Sequence, residues 1–234
     1  MGSNETPEII LYTNHYCPWA HRAHIALAAL GLPFKEEIID LSVPRTPEYL
    51  AVNPRGLVPS ISYNGTIITE SAIVAQFLTD AHPSALEKAS SAEGGALERA
   101  KINFFVDAFM SKVNGQVLPL LRAEESEKEA LVEKIVQAVA KEVEPLLKDA
   151  GPFFGGSSKV TLAEVLTGSF ILRLLTYPKG GFAPESLTTA LETKTPHFWK
   201  WANVVVKDKN VNYIWNEESF IEKTKLRLKQ VAAK

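Results

Sequence analysis

The 234-residue chain carries 25 basic and 27 acidic residues, a formal net charge of −2, which offers no bulk electrostatic attraction for nucleic acid or an anionic membrane. Its 46% hydrophobic content suffices for one large domain or two small ones without covalent staples, and no apolar run approaches the roughly 20 residues that span a bilayer. One cysteine excludes an internal disulfide framework, and no apolar segment follows a basic start, so a reduced, cytoplasmic setting is expected.

Residues 9–12 (Ile-Ile-Leu-Tyr) have strand composition, 14–16 form a turn, and Pro18 suits the first position of a helix, where its missing N–H would have had no partner. Cys17 therefore stands at a helix start, where unpaired amides and the positive end of the helix dipole favour a thiolate, which is a nucleophile at neutral pH. The opposing reading of a lone cysteine, a small buried hydrophobe, does not account for this strand-turn-Cys-Pro-helix setting. Cys17, His21 and His24 follow at i, i+4 and i+7 and can share a helical face. No fourth ligand is apparent and a side chain at the helix mouth points away from later turns, so no metal is expected.

The helix runs to Leu30 and stops at Gly31, where a left-handed residue closes it. A second strand over 34–39 follows closely enough to favour parallel pairing. Residues 40–47 form a loop carrying Arg45, and 48–52 make one or two helical turns. Pro59 falls where a third strand should begin, which requires an edge, a strand start or a cis turn. By itself the sequence favours trans; a cis bond would leave the Val58 N–H and C=O free to pair with an extended, peptide-like ligand. Asn64-Gly65 predicts a two-residue hairpin between strands around 58–62 and 66–69. Glu70 and Ser71 open the next helix, either as simple caps or as an anion site in which Ser71 and nearby amides hold a carboxylate and Glu70 accepts from an ammonium.

Composition shifts over 81–95 to a linker with a loose helix start, and the remainder is helical. Ile102, Phe105, Phe109, Val113 and Val117 form one apolar stripe, and Leu131, Ile135, Val139 and Val143 another. Thr161-Leu162-Ala163-Glu164 is a capping-box pattern before an apolar helix. The loop 151–158 lacks the Gly-Lys-Ser/Thr ending of a phosphate cradle. A substrate cleft is expected between the two halves, with Phe105, Phe109 and Met110 as a candidate wall.

The order of elements describes an α/β thioredoxin-like N-terminal domain over 1–82 followed by an all-α C-terminal domain over 83–234. A dithiol oxidoreductase would carry a second cysteine three residues after Cys17; this chain has Ala20 there, so the thiol that resolves a mixed disulfide must come from outside, and glutathione is the obvious cytosolic supplier.

On Cys17-Pro18-Trp19-Ala20-His21-Arg22, Asn53-Pro54-Arg55-Gly56-Leu57-Val58-Pro59 and Glu70-Ser71, the chain resembles the cytosolic glutathione transferases over nearly its whole length, specifically their cysteine-bearing omega-like group. The first motif is shared with the glutathionyl-hydroquinone reductases. The resemblance implies a cis Pro59, Val58 pairing with the cysteinyl backbone of glutathione, Glu70 and Ser71 on its γ-glutamyl end, Arg45 near the glycyl carboxylate, and Trp19 bordering the thiol. The family's capping motif usually ends in Asp; Glu164 retains the same chemistry.

The implied activity is glutathione-dependent thiol transfer, dehydroascorbate reduction or reductive deglutathionylation of small adducts. Glutathione is the co-substrate, a small hydrophobic or electrophilic molecule the acceptor, and neither nucleic acid nor membrane a partner. A homodimer is compatible with it. Two other readings stay open: conjugation of glutathione to electrophiles, and a non-catalytic interaction module on the same fold.

Overall fold

Successive side chains point to opposite faces of a strand, so in the apolar run of β1 (Ile9–Thr13) Ile9, Leu11 and Thr13 are buried on one face. The computed structural model describes residues 6–232. After β1 come α1 (Pro18–Leu30), β2 (Lys35–Ile38), α2 (Pro47–Val52), β3 (Ser60–Tyr63), β4 (Thr66–Thr69) and α3 (Ser71–Ala81). The strands stand in the order β2-β1-β3-β4, with β2 parallel to β1 and the other two pairs antiparallel. This is the thioredoxin-like mixed sheet. Strand β2 carries Lys35, Glu36 and Glu37 on the exposed edge, a composition that discourages edge-to-edge pairing.

Two local expectations come out as read, and a third comes out as the family resemblance implied. Gly31 closes α1 at φ 66°, and Leu32 N–H donates to Leu27 O in the manner of a Schellman end. Asn64 and Gly65 both take positive φ, 48° and 82°, and turn the β3–β4 hairpin. The Val58–Pro59 bond is cis, as the family resemblance implied and against the trans form that the residues alone favoured. β3 starts at Ser60 instead of 58, because Pro59 has no N–H to give the ladder.

The second part is all helical. α4 (Gly95–Ala108) passes through a π turn at Phe109–Asn114 into α5 (Gly115–Arg122), and α6 (Glu125–Ala138) continues through π and 3-10 turns to Leu147. α7 (Leu162–Thr176), α8 (Ser186–Lys194), α9 (Pro196–Val205) and α10 (Glu217–Ala232) complete it. Among the described residues no helix is long and apolar enough to cross a membrane.

Two expectations need correcting. The 81–95 segment is not a loose linker: Leu162 N–H donates to Leu86 O at 2.8 Å, and the buried Glu87 carboxylate lies 2.9 Å from Arg99. A Cβ at Gly95 would fall 2.0 Å from the Ala89 carbonyl oxygen, so the turn into α4 closes only around a glycine. Phe105 and Phe109 do not line a cleft either. Both are fully buried, because the stripe from Ile102 to Val117 faces the common core, where Phe105 packs on Phe154 and Trp201.

α7 runs through the middle of that core and is set by its first turn. Each oxygen of the fully buried Glu164 accepts two donors: Thr161 N–H and Oγ1–H at 2.8 and 2.7 Å, Phe154 N–H and Trp201 Nε1–H at 2.8 and 2.7 Å. Burial pushes the carboxyl up, and these donors pull the other way. Because both oxygens are doubly occupied, the amide of Glu164→Gln has to turn an NH2 toward donors. That variant is expected to unfold about 3 kcal/mol more easily in urea, followed by tryptophan fluorescence; an unchanged midpoint would mean that the carboxylate is dispensable.

Candidate functional site

Cys17 is the residue before α1, with extended backbone, and Pro18 occupies the first helical position. Its N–H closes the turn by donating to Asn14 O at 3.0 Å, and Asn14 Nδ2 donates to Ile39 O at the end of β2. The half-buried thiol makes no capping bond to its own helix; Sγ lies 4.0 Å from Val58 O. The two segments singled out by the sequence thus meet, with Cys17 packed on a small cluster of Ala20, Ile39, Tyr49 and Val58.

The loop that presents Val58 is held by its own polar groups. Asn53 Nδ2 donates to Leu57 O and Ser60 Oγ at 2.9 and 3.0 Å, and Tyr49 OH donates to the same Leu57 carbonyl. Gly56 sits at φ 62°, and a Cβ there would come 2.9 Å from Arg45 Cγ. Arg45 is accordingly a brace: Nε donates to Gly56 O at 3.0 Å, and Nη1 donates to Asp40 O at 2.7 Å and to Val43 O.

Glu70 and Ser71 do not act as caps. Glu70 precedes α3 at φ 69° with no capping bond from its side chain, and its carboxylate pairs with Arg55. Ser71 is the first helical residue, buried, and its Oγ accepts from Arg22 Nη1 at 3.2 Å. The first amides of α3 point from the same corner, which suits an anion.

Arg22 on α1 and Arg173 on α7, to which the sequence reading gave no role, join the site to the helical part. Arg22 is 3% exposed; Nε donates to Leu166 O at 2.7 Å, and the guanidinium lies over Trp19 and Phe170 at 4.7 and 5.0 Å. Trp19 meets Phe170 edge to face and keeps 43% of its surface exposed, facing the seam between the two parts. Arg173 donates to Ser169 O and to Tyr16 O, at 2.7 and 3.2 Å, and lies over Trp215 and Phe220. Burial pushes both arginines down to about 10. Arg173 is one of two charged residues in α7, and a lone cation in so apolar a helix is the signal by which it could have been found.

Tyr16 stays exposed but is touched by α10: its OH is 2.8 Å from Ser219 Oγ and Lys223 Nζ lies 3.7 Å over the ring. Those two contacts, Ser219 first, pull the phenol below its ordinary value. The cation set considered around Cys17 does not gather as such. His21 is buried against Trp215, well below the ordinary histidine range through burial, and His24 joins His15 and Glu36 instead. Two concavities of about 510 and 530 Å³ lie away from the thiol, one between Ser111 and Glu142, the other between Ser84 and Thr161.

Residues 16–81 match the family described as "Glutathione S-transferase, N-terminal domain". The chain is 30% identical over 170 residues to glutathione S-transferase omega-1 of Rattus norvegicus, an alignment that covers 71% of this chain and 67% of that protein. It superposes on glutathione transferase Omega 3C of Trametes versicolor with a TM-score of 0.77 at 20% identity, covering 99% of this chain and 93% of the other. For rice GST1 (OsGSTU1) in complex with glutathione the TM-score is 0.80 at 23% identity, covering 97% and 98%. The chain belongs to the cytosolic glutathione transferase superfamily, among its omega-like members.

Arg22 carries a geometric prediction. Arg22→Lys keeps the charge but loses the planar stack and one of the two hydrogen bonds, a change expected to cost about 1–3 kcal/mol. Scanning calorimetry should then show a melting temperature lowered by roughly 3–8 °C; an unchanged melt would remove Arg22 from the seam.

Proposed function

We propose that the enzyme works by covalent thiol exchange at Cys17 with glutathione as its only second thiol. The observation that carries this reading is a lone cysteine at the start of α1, half-exposed beside the Val58 carbonyl, with Ala20 where a resolving cysteine would stand. The Cys17 thiolate attacks the sulfur of a glutathionyl adduct. A Cys17–glutathione disulfide forms, the bond from that sulfur to the acceptor breaks, and the acceptor leaves with the electron pair and takes a proton. A second glutathione thiolate then attacks the mixed disulfide, restoring Cys17 and leaving as oxidised glutathione.

The same mixed-disulfide step serves thiol transfer and dehydroascorbate reduction. Conjugation needs no covalent cysteine, and an interaction module needs no glutathione. The acceptor meets the seam at the exposed ring of Trp19, which is backed edge to face by the buried Phe170, a surface suited to a small hydrophobic or electrophilic molecule.

Glutathione is placed along the first domain. Val58 offers its N–H and C=O to the cysteinyl backbone, Glu70 accepts from the γ-glutamyl ammonium, and Ser71 with the first amides of α3 receives the γ-glutamyl carboxylate. The glutathione bound to the rice relative supports a site for that tripeptide on this fold. Arg45 acts on the ligand through the loop it braces, since Nε and Nη1 already donate to carbonyls. That refines the direct carboxylate contact drawn from the family resemblance.

Cys17→Ser should reduce deglutathionylation of mixed disulfides by roughly 100-fold or more, the scale on which loss of a nucleophile is felt. Conjugating activity that is retained while thiol transfer was never present would overturn the covalent reading. In that Cys17→Ser background, calorimetric titration with glutathione should show Glu70→Ala and Ser71→Ala each weakening binding by about 1–3 kcal/mol, with Arg45→Ala weakening it less. Arg45→Ala emerging as the most damaging would invert the ranking, and unchanged binding in the other two would remove the residue-level case for the site.

A further inference from the structure

A second group of side chains stands beside the thiol turn and has no part in the chemistry above. His15 from that turn, His24 from α1 and Glu36 from β2 each bring a ligand atom to within 4.8 Å of the others. Glu36 bridges the pair, with Oε2 3.0 Å from His15 Nε2 and Oε1 2.7 Å from His24 Nε2. His24 is fully buried, flanked by Phe34 and Tyr213, and its Nδ1 lies 3.2 Å from Ala20 O.

Each neutral tautomer of His24 makes one of its two contacts: protonated at Nε2 it donates to Glu36 Oε1 at 2.7 Å, and protonated at Nδ1 it donates to Ala20 O at 3.2 Å and turns an Nε2 lone pair toward His15 and Glu36. In that second tautomer three lone-pair-bearing atoms from three elements converge within 4.8 Å of one another, which is the donor set of a cation site.

We propose that His15, His24 and Glu36 bind a first-row divalent cation of the zinc type, through His15 Nε2, His24 Nε2 and a Glu36 oxygen, with water completing the shell. Two imidazoles and one carboxylate suit zinc, cobalt, nickel or copper and disfavour magnesium and calcium, which take oxygen ligands. The Ala20 carbonyl is then the outer partner that fixes the His24 tautomer, the arrangement metal-bound histidines commonly show. His24 is the fixed ligand, whereas His15 and Glu36 keep 41% and 29% of their side-chain surface exposed, which gives the ion a way in. Zinc ligands lie about 2.0–2.2 Å from the metal, so the spacing closes by a small inward rotation of the exposed His15 ring. The bound ion would tie the turn that delivers Cys17 to both α1 and the sheet edge.

The test uses the full chain with Cys17→Ser, which removes the competing thiolate. Titration with Zn2+ alone by calorimetry should give a single site per chain with a roughly micromolar dissociation constant, and Co2+ should give visible bands of low coordination number. Zn2+ should also raise the melting temperature. His15→Ala and Glu36→Gln, both at surface positions, should each weaken binding by on the order of tenfold or more and abolish the thermal shift, whereas His197→Ala should change neither. Binding no tighter than millimolar, or binding that survives both substitutions, would overturn the proposal.

Discussion

The start of α1 is held in place from the helical domain, and the rest of the site depends on that grip. Ser169 Oγ donates to Pro18 O at 2.8 Å, Arg173 to Tyr16 O and Arg22 to Leu166 O, so three hydrogen bonds cross between the turn of Cys17 and α7. All three are accepted by backbone carbonyls. They leave the first amides of α1 unbonded beside the thiol, which is what an anion at that position requires. α7 can act as a fixed post because Glu164 anchors its first turn to Thr161, Phe154 and Trp201 inside the core.

Arg22 and Arg173 are buried yet form no ion pair with a carboxylate among the described residues. Carbonyl bonds and aromatic faces offset part of the desolvation cost. Burial still pushes Arg173 down to about 10, with the nearby Tyr177 acting against it. The Arg173 bond to Tyr16 O holds the turn that delivers Cys17, so the covalent chemistry proposed there draws on a residue more than 150 positions away.

Local chemistry made much of this legible. Pro18 after Cys17 marked a helix start, Gly31 its end, Asn64-Gly65 a hairpin, and Thr161 with Glu164 a capping box, because each depends on one or two residues and their own backbone. Glu70 and Ser71 were placed correctly at the start of α3, but their side-chain partners were not readable: Arg55 and Arg22 reach them only once loop and helix are folded together. The partners of Arg45 were not readable for the same reason, since the carbonyls that engage it belong to a loop whose path no local rule gives. Phe105 and Phe109 show the converse error. Their periodicity announced an apolar face but was silent on whether that face meets a cleft or the core.

The sequence by itself determined the order of the elements, the position of the only thiol at a helix mouth, and the absence of a second cysteine to resolve a disulfide. Those follow from composition, spacing and backbone preference, which act over a few residues. Tertiary structure alone decided that Val58 turns its carbonyl toward Cys17, that α7 and two arginines without carboxylates clamp the thiol turn, and that His15, His24 and Glu36 converge. Each is a contact between segments separated along the chain: the first and last are set by how the sheet, α1 and the loops of the thioredoxin-like part pack, and the second by how α7 packs on α1.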